Sequence, residues 1–158
     1  MAETSSPCGL HRLIYASRFS RNFPAPIPAQ DHEIRGIISA SLRHNRQVSV
    51  TGMILVTQEH FLQALEGPAE AVIAAYTRIL CDRRHDTPRL LYAGAADRRH
   101  FGAWAMCARR LSEADESVLG PLGLTQALDP MDLGPASSLK LLDTVRDIQH
   151  GVCLRAIA

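Results

Sequence analysis

Residues 48–66 read VSVTGMILVTQEHFLQALE, and this stretch decides the fold. Two apolar, β-capable runs, 48–56 and 60–66, flank a tight turn at Gln58 and Glu59, the pattern of a β-hairpin. In the second run Phe61, Gln63 and Leu65 share one face, while Leu62, Ala64 and Glu66 share the other, because side chains alternate along a strand. Glu66 marks the second face as the one nearer water, which sets Gln63 mid-strand on the side that helices cover. A buried primary amide has two donors and two acceptor sites, and leaving one unmet costs about 1–3 kcal/mol. The other reading of Gln63 is an amide that points at solvent or reaches a helix backbone.

Working outward, Asp31 opens a helix with Ile34, Ile37, Ile38 and Leu42 on one face, ending at His44 and Asn45. Before it, SRNFPAPIP (20–28) holds three prolines in five residues and reads as loop. LIY (13–15) is a short strand. Past the hairpin, Gly67 and Pro68 break the chain. A second helix then carries Ala69, Val72, Ile73, Tyr76, Ile79 and Leu80 as one apolar stripe, running out over 81–85 with Pro88 as its stop. Stretches 90–95 and 103–108 read as two more strands. The resulting order, β-α-β-β-α-β-β, predicts an α+β ferredoxin-like sandwich with both helices on one face of the sheet. The tail changes character: Ser112 opens a short helix, a Gly/Pro-rich stretch follows, and Ser137 and Ser138 open a helix to about His150. Leu139, Leu142, Val145 and Ile148 recur along it, as expected of a helical extension covering the sheet's bare face. The expected organisation is a disordered start over 1–9, a core domain over 10–110 and a C-terminal helical cap or output segment over 111–158.

With 158 residues, 46% of them apolar, the chain is one domain able to bury a core. Seventeen basic against sixteen acidic side chains leave a net charge of +1, which gives no electrostatic footprint for direct nucleic-acid binding. No uncharged apolar run reaches the roughly twenty residues of a membrane span. The polar N-terminus lacks the basic start and apolar stretch of an export signal. Cys8, Cys81, Cys107 and Cys153 are scattered and form no C-x-x-C pair, which argues against zinc and a disulfide framework and fits a reduced cytoplasm. A cytoplasmic protein without a bound metal is expected.

Taken singly, the candidate residues have ordinary readings. Tyr15 packs a ring in a small core and finds one hydrogen bond. Asn45 caps a helix C-terminus, and His44 is an exposed helix-end histidine. Asp82, Arg83, Arg84 and His85 form a solvated terminus whose basic members suit the helix dipole. Trp104 and Met106, two apart, share a strand face as core filling. No catalytic triad, phosphate-cradling loop, H-E-x-x-H or paired-carboxylate signature is present.

Together these residues make a pattern. LIYAS (13–17), RHN (43–45), VTGMIL (50–55), FLQALEGP (61–68), CDRRH (81–85) and RRHFGAWAM (98–106) occur in the order and spacing of the BLUF family, the sensors of blue light using flavin. Over roughly residues 10–110 the chain resembles a short stand-alone member. The resemblance implies a flavin, usually FAD, held non-covalently between the two helices. Tyr15 would be the electron and proton donor, and Gln63 the switch amide between that phenol and flavin N5/C4=O. Asn45 would grip the C4=O and N3–H edge. His44 falls where members differ between ring-stacking and polar residues. Ile37 and Ile79 would clamp the ring's two faces, while Arg84 and His85 belong to the flavin-edge segment. Trp104 and Met106 fall where members differ over which residue lies beside the glutamine. Two features depart from the pattern: the Pro-rich loop is several residues longer, and no second asparagine stands beside Asn45.

The resemblance thus implies a blue-light photoreceptor with a reversible photocycle, and not an enzyme. An amide links flavin and phenol well because it is both donor and acceptor, so rotating or tautomerising it exchanges one hydrogen-bond pattern for another. FMN or riboflavin are the other chromophores the pattern admits. Output would pass through the strand bearing Trp104 and Met106 and the C-terminal helices to a separate, unidentified protein, with the sensor itself a homodimer. Two readings compete. One is a light-inert ferredoxin-like interaction module. The other is an acylphosphatase-like hydrolase, for which Arg43 and Asn45 are present without a loop of clustered backbone donors.

Overall fold

The computed structural model describes residues 9–111, 120 and 128–148. Five strands, β1 (Leu10–Phe19), β2 (Thr51–Val56), β3 (His60–Pro68), β4 (His85–Ala95) and β5 (Cys107–Arg110), form one sheet in the order β4-β1-β3-β2-β5. All neighbours are antiparallel except β2 and β5. Helix α1 (Ile27–Gln47) links β1 to β2, and α2 (Ala69–Leu80) links β3 to β4. A 3-10 turn (Pro130–Asp132) precedes α3 (Pro135–Ile148). This is the expected α+β ferredoxin-like arrangement with a C-terminal helix.

The sheet has two apolar faces, and each has a cover. Leu13, Tyr15, Ile54, Phe61 and Leu65 pack under Ile34 and Ile38 of α1 and Val72 and Ala75 of α2. Ile14, Ala16, Met53, Leu55, Leu62 and Ala64 point the other way, against Phe101 and the α3 residues Leu141, Leu142 and Val145. Burying both faces removes the exposed apolar sheet surface that would drive aggregation.

Several local expectations change. Helix α1 starts at Ile27, not Asp31, and takes in Pro28. A first-turn proline costs nothing, since its missing N–H would have no intrahelical partner. The helix also runs past Asn45 to Gln47, and Ser49 (φ 60°) takes the left-handed position that Asn45 was expected to fill. Strand β4 begins at His85 and contains Pro88. It is an edge strand, and its pairing with β1 slips between Ala16 and Arg18, so the proline sits at a bulge. β5 begins only at Cys107, which leaves Trp104 and Met106 in the preceding loop, where strand alternation does not apply. Ile73 and Leu80, placed on the apolar stripe of α2, are exposed.

Glu66 does not meet water. It is fully buried and receives Arg12 Nε at 2.9 Å and Nη2 at 2.7 Å, together with the backbone N–H groups of His100 (2.9 Å) and Phe101 (2.8 Å). The inference drawn from its face still stands, because Gln63 lies on the helix side. Cys107 is disulfide-bonded while Cys81 is free, although the scattered cysteines argued against a disulfide framework. Spacing along a chain carries no information about which thiols a fold brings together. The expected disordered start (1–9, apart from Gly9) and the short helix at Ser112 lie outside the described residues.

Candidate functional site

The centre of the site follows from strand register. Tyr15 of β1 is the cross-strand partner of Gln63 of β3, and both side chains are buried under the helices. Tyr15 Oη donates to Gln63 Oε1. Gln63 Nε2 donates in turn to Met106 Sδ at 3.4 Å. Burial pushes the Tyr15 phenol above its ordinary pKa, and Tyr76 and Asp82 add to the effect. The phenol therefore stays protonated and remains a donor. A thioether is a weak acceptor, so the Gln63 amide keeps donor capacity to spare.

Between α1 and α2 a cleft of about 290 Å³ opens onto this amide. Ile37 and Ile79 face it from the two helices, and Ala40, Ala75 and Leu65 complete an apolar lining. A deeper recess of about 30 Å³ continues it to Tyr15, Phe61 and His85. Polar groups gather on the rim. Asn45, buried in the last turn of α1, anchors itself by donating from Nδ2 to Ala105 O at 2.9 Å. Asn45 lines the cleft together with His44. Arg84 Nη2 meets Asp82 Oδ2 at 2.6 Å and Nε meets Oδ1 at 2.9 Å. Burial alone would raise the Asp82 pKa, but the hydrogen bonds and charge of Arg84 hold it below the usual carboxylate range.

Most of the residues singled out from sequence thus converge: Tyr15, Ile37, His44, Asn45, Gln63, Ile79, Arg84, His85 and Met106 all line the cleft or its recess. Trp104 does not. It packs on the opposite face of the sheet, with the Arg109 guanidinium 5.7 Å from its ring centroid. Arg78, Asp82 and Tyr76 were missed. Arg78 and Asp82 line the cleft, and the Tyr76 ring lies 5.3 Å from that of Tyr15. In sequence the first two look like ordinary charges at a helix end, and Tyr76 like one more member of an apolar stripe. Arg43 is exposed whereas Asn45 is buried, so the pair needed for an acylphosphatase-like site does not converge.

Fold and cleft together define a ligand-binding α+β sandwich whose apolar slot, with polar groups on its rim, suits a flat heteroaromatic ring. Residues 10–107 match the family described as BLUF, Sensors of blue-light using FAD, and the chain belongs to that family. The blue light- and temperature-regulated antirepressor BluF of Escherichia coli (strain K12) is 36% identical over 109 residues, 68% of this chain and 26% of that protein. Photoactivated adenylate cyclase subunit beta of Euglena gracilis is 33% identical over 111 residues, covering 70% of this chain and 12% of that one. The chain therefore spans about a quarter or less of the curated relatives it matches. Among solved structures, dark-state BlrB superposes with a TM-score of 0.70 at 28% identity, over 89% of this chain and 98% of that one. BlsA in its ground state superposes with a TM-score of 0.76 at 23% identity, over 92% of each chain, a likeness of fold. BLUF-family photoreceptors bind flavin and sense blue light, so the matched module is a sensor rather than an enzyme. No helix among the described residues is long and apolar enough to cross a membrane.

Proposed function

We propose that this chain senses blue light through a flavin ring held between α1 and α2, with Tyr15 and Gln63 carrying the photochemical switch. The observation that carries this reading is the hydrogen-bonded series Tyr15 Oη, Gln63 and Met106 Sδ, aimed into the apolar cleft. The donor set suits the ring: Ile37 and Ile79 for its faces, Asn45, His44 and Arg84 for its polar edge, and the spare donor capacity of Gln63 for its carbonyl and nitrogen positions. FAD is the chromophore the family description supports. FMN and riboflavin share the ring and would satisfy the same grip.

When bound, the flavin supplies the blue absorption and, once excited, the oxidising power. Tyr15 gives up an electron and its phenolic proton, and recovers both as the cycle closes. While Tyr15 is oxidised its claim on Gln63 Oε1 lapses, and the amide is free to rotate or tautomerise. Gln63 then offers a different pattern of donor and acceptor to its surroundings. Nothing is consumed, so the change reverses in the dark.

Output leaves through the loop between β4 and β5. Met106 touches Gln63, Ala105 holds Asn45, and Trp104 on the far side packs against residues around α3. That loop joins the cleft to the α3 side of the sheet. The recipient is a separate effector protein, and the sensor works as a homodimer in the cytoplasm. The test is an absorption spectrum of the purified protein in the dark and after blue light. A reversible red shift supports the reading, and a colourless protein or a light-indifferent flavin contradicts it.

A further inference from the structure

His85, the first residue of β4, lies buried at the inner end of the cleft, its ring nearly edge-on to Tyr15 with centroids 6.1 Å apart. Both ring nitrogens are engaged inside the protein. Nδ1 lies 2.9 Å from Ser17 Oγ, and Nε2 lies 2.5 Å from Ile79 O. A carbonyl only accepts, so Nε2 carries a proton and donates it there. Ser17, wholly buried, takes up the other nitrogen. The imidazole has no hydrogen-bonding capacity left for a ligand.

The identity of the two partners gives the bridge its meaning. Ser17 stands two residues past Tyr15 on the same face of β1. Ile79 is in the last turn of α2 and presents its side chain to the cleft opposite Ile37. The ladder between β1 and β4 is irregular at this point, with a register shift between Ala16 and Arg18 and Thr87 at φ 47°. A bulge of this kind re-aims neighbouring side chains. His85 thus spans from the strand that carries the phenol to the carbonyl end of the helix that walls the slot.

We propose that His85 is a positioning residue: it ties Ser17 to the Ile79 carbonyl and so sets the gap between Tyr15 and Ile79 that a flavin ring enters, without hydrogen-bonding the ring itself. This rests on the flavin reading of the cleft. Tying the last turn of α2 to β1 keeps the slot at one width before the ligand arrives, which lowers the cost of binding.

The test uses the full chain labelled with 15N-histidine and followed by NMR before and after addition of FAD. The expected spectrum has His85 Nε2 protonated and Nδ1 hydrogen-bonded, with the same pattern in both states. His85→Gln can donate from its amide nitrogen and accept at its oxygen, so it keeps FAD affinity within about twofold. His85→Leu weakens FAD binding about tenfold, the factor that loss of one net buried hydrogen bond represents. A His85 nitrogen resonance that moves to a ligand-bonded value on FAD addition overturns the proposal. So does a Gln variant as weak as the Leu variant. If the Leu variant does not fold, the wild-type nitrogen pattern decides alone. A wild-type chain that takes up no FAD defeats the flavin reading and the proposal with it, a result distinct from loss of the bridge.

Discussion

Tyr15 and Gln63 are register partners across the β1/β3 ladder, and the phenol donates to the amide oxygen beneath both helices. Because neighbouring strands fix the two backbones, only the side-chain bond between them is free to change. A switch built on this pair needs no large backbone movement at its origin. Its effects must spread through whatever else touches the amide, and Met106 Sδ does so at 3.4 Å.

Met106 is accordingly the residue through which the amide's state reaches the β4–β5 loop. Met106→Leu conserves volume and costs less than about 1.5 kcal/mol of stability, yet removes the sulfur acceptor. It should retain flavin and change the rate of dark recovery. Met106→Ala leaves a cavity and costs about 2–5 kcal/mol. Urea denaturation and recovery after a light pulse separate the two effects, and an unaltered recovery rate in the Leu variant contradicts the assigned contact.

Glu66 predicts a stability effect far from the cleft. Its carboxylate is buried with Arg12 and caps the His100 and Phe101 N–H groups. The same segment grips α3, with His100 Nδ1 2.8 Å from Asp143 and Arg146 Nη1 donating to His100 O at 2.5 Å. Glu66→Ala leaves Arg12 as an uncompensated buried cation and should cost about 3–5 kcal/mol. Hydrogen exchange over 135–148 should rise with it. A loss below about 1 kcal/mol, or α3 amides as protected as before, would contradict the role given to this carboxylate.

The Tyr15 phenol carries a pH signature. Its pKa in the folded protein lies above the ordinary value of 10.0, chiefly because burial disfavours the phenolate. The folded state therefore holds this proton where the unfolded chain releases it. The associated stability is complete below pH 10.0 and declines as pH rises from there toward the folded value. Tyr76, also raised by burial, adds to the same decline. Denaturation midpoints measured upward from neutral pH should fall less steeply at the alkaline end in Tyr15→Phe than in the wild type. Equal slopes would show that the phenol is not desolvated.

Asn45 joins two tasks, holding Ala105 with one end of its amide and lining the cleft with the side chain as a whole. Asn45→Ala should weaken FAD binding about tenfold, the factor of one hydrogen bond to the ligand. Fluorescence of released flavin measures it directly. Full occupancy after this substitution would reduce Asn45 to an anchor for the β4–β5 loop.

How much of this was legible in the sequence depends on whether the signal was local. The hairpin around Gln58, the α2 stripe and the order of elements follow from periodicity, which each segment carries by itself. Gln63 stood out because an amide interrupts an apolar face. Pro28 misled because the same residue breaks a helix interior and begins a helix well. Pro88 misled because only an edge position makes it harmless in a strand. The burial of Glu66 was unreadable, since its partner Arg12 lies 54 positions away. Trp104 and Met106 were separated by a loop that periodicity read as strand. Asp82 and Arg78 carry no local mark that distinguishes a cleft wall from a solvated helix end.

The most direct test of the central claim compares visible absorption in the dark and after blue light for the wild type and for Tyr15→Phe. The wild type should be yellow and show a red shift that reverses in the dark, while Tyr15→Phe should keep the colour and lose the shift. A Tyr15→Phe protein that still shifts and recovers as the wild type does would contradict the account at its root.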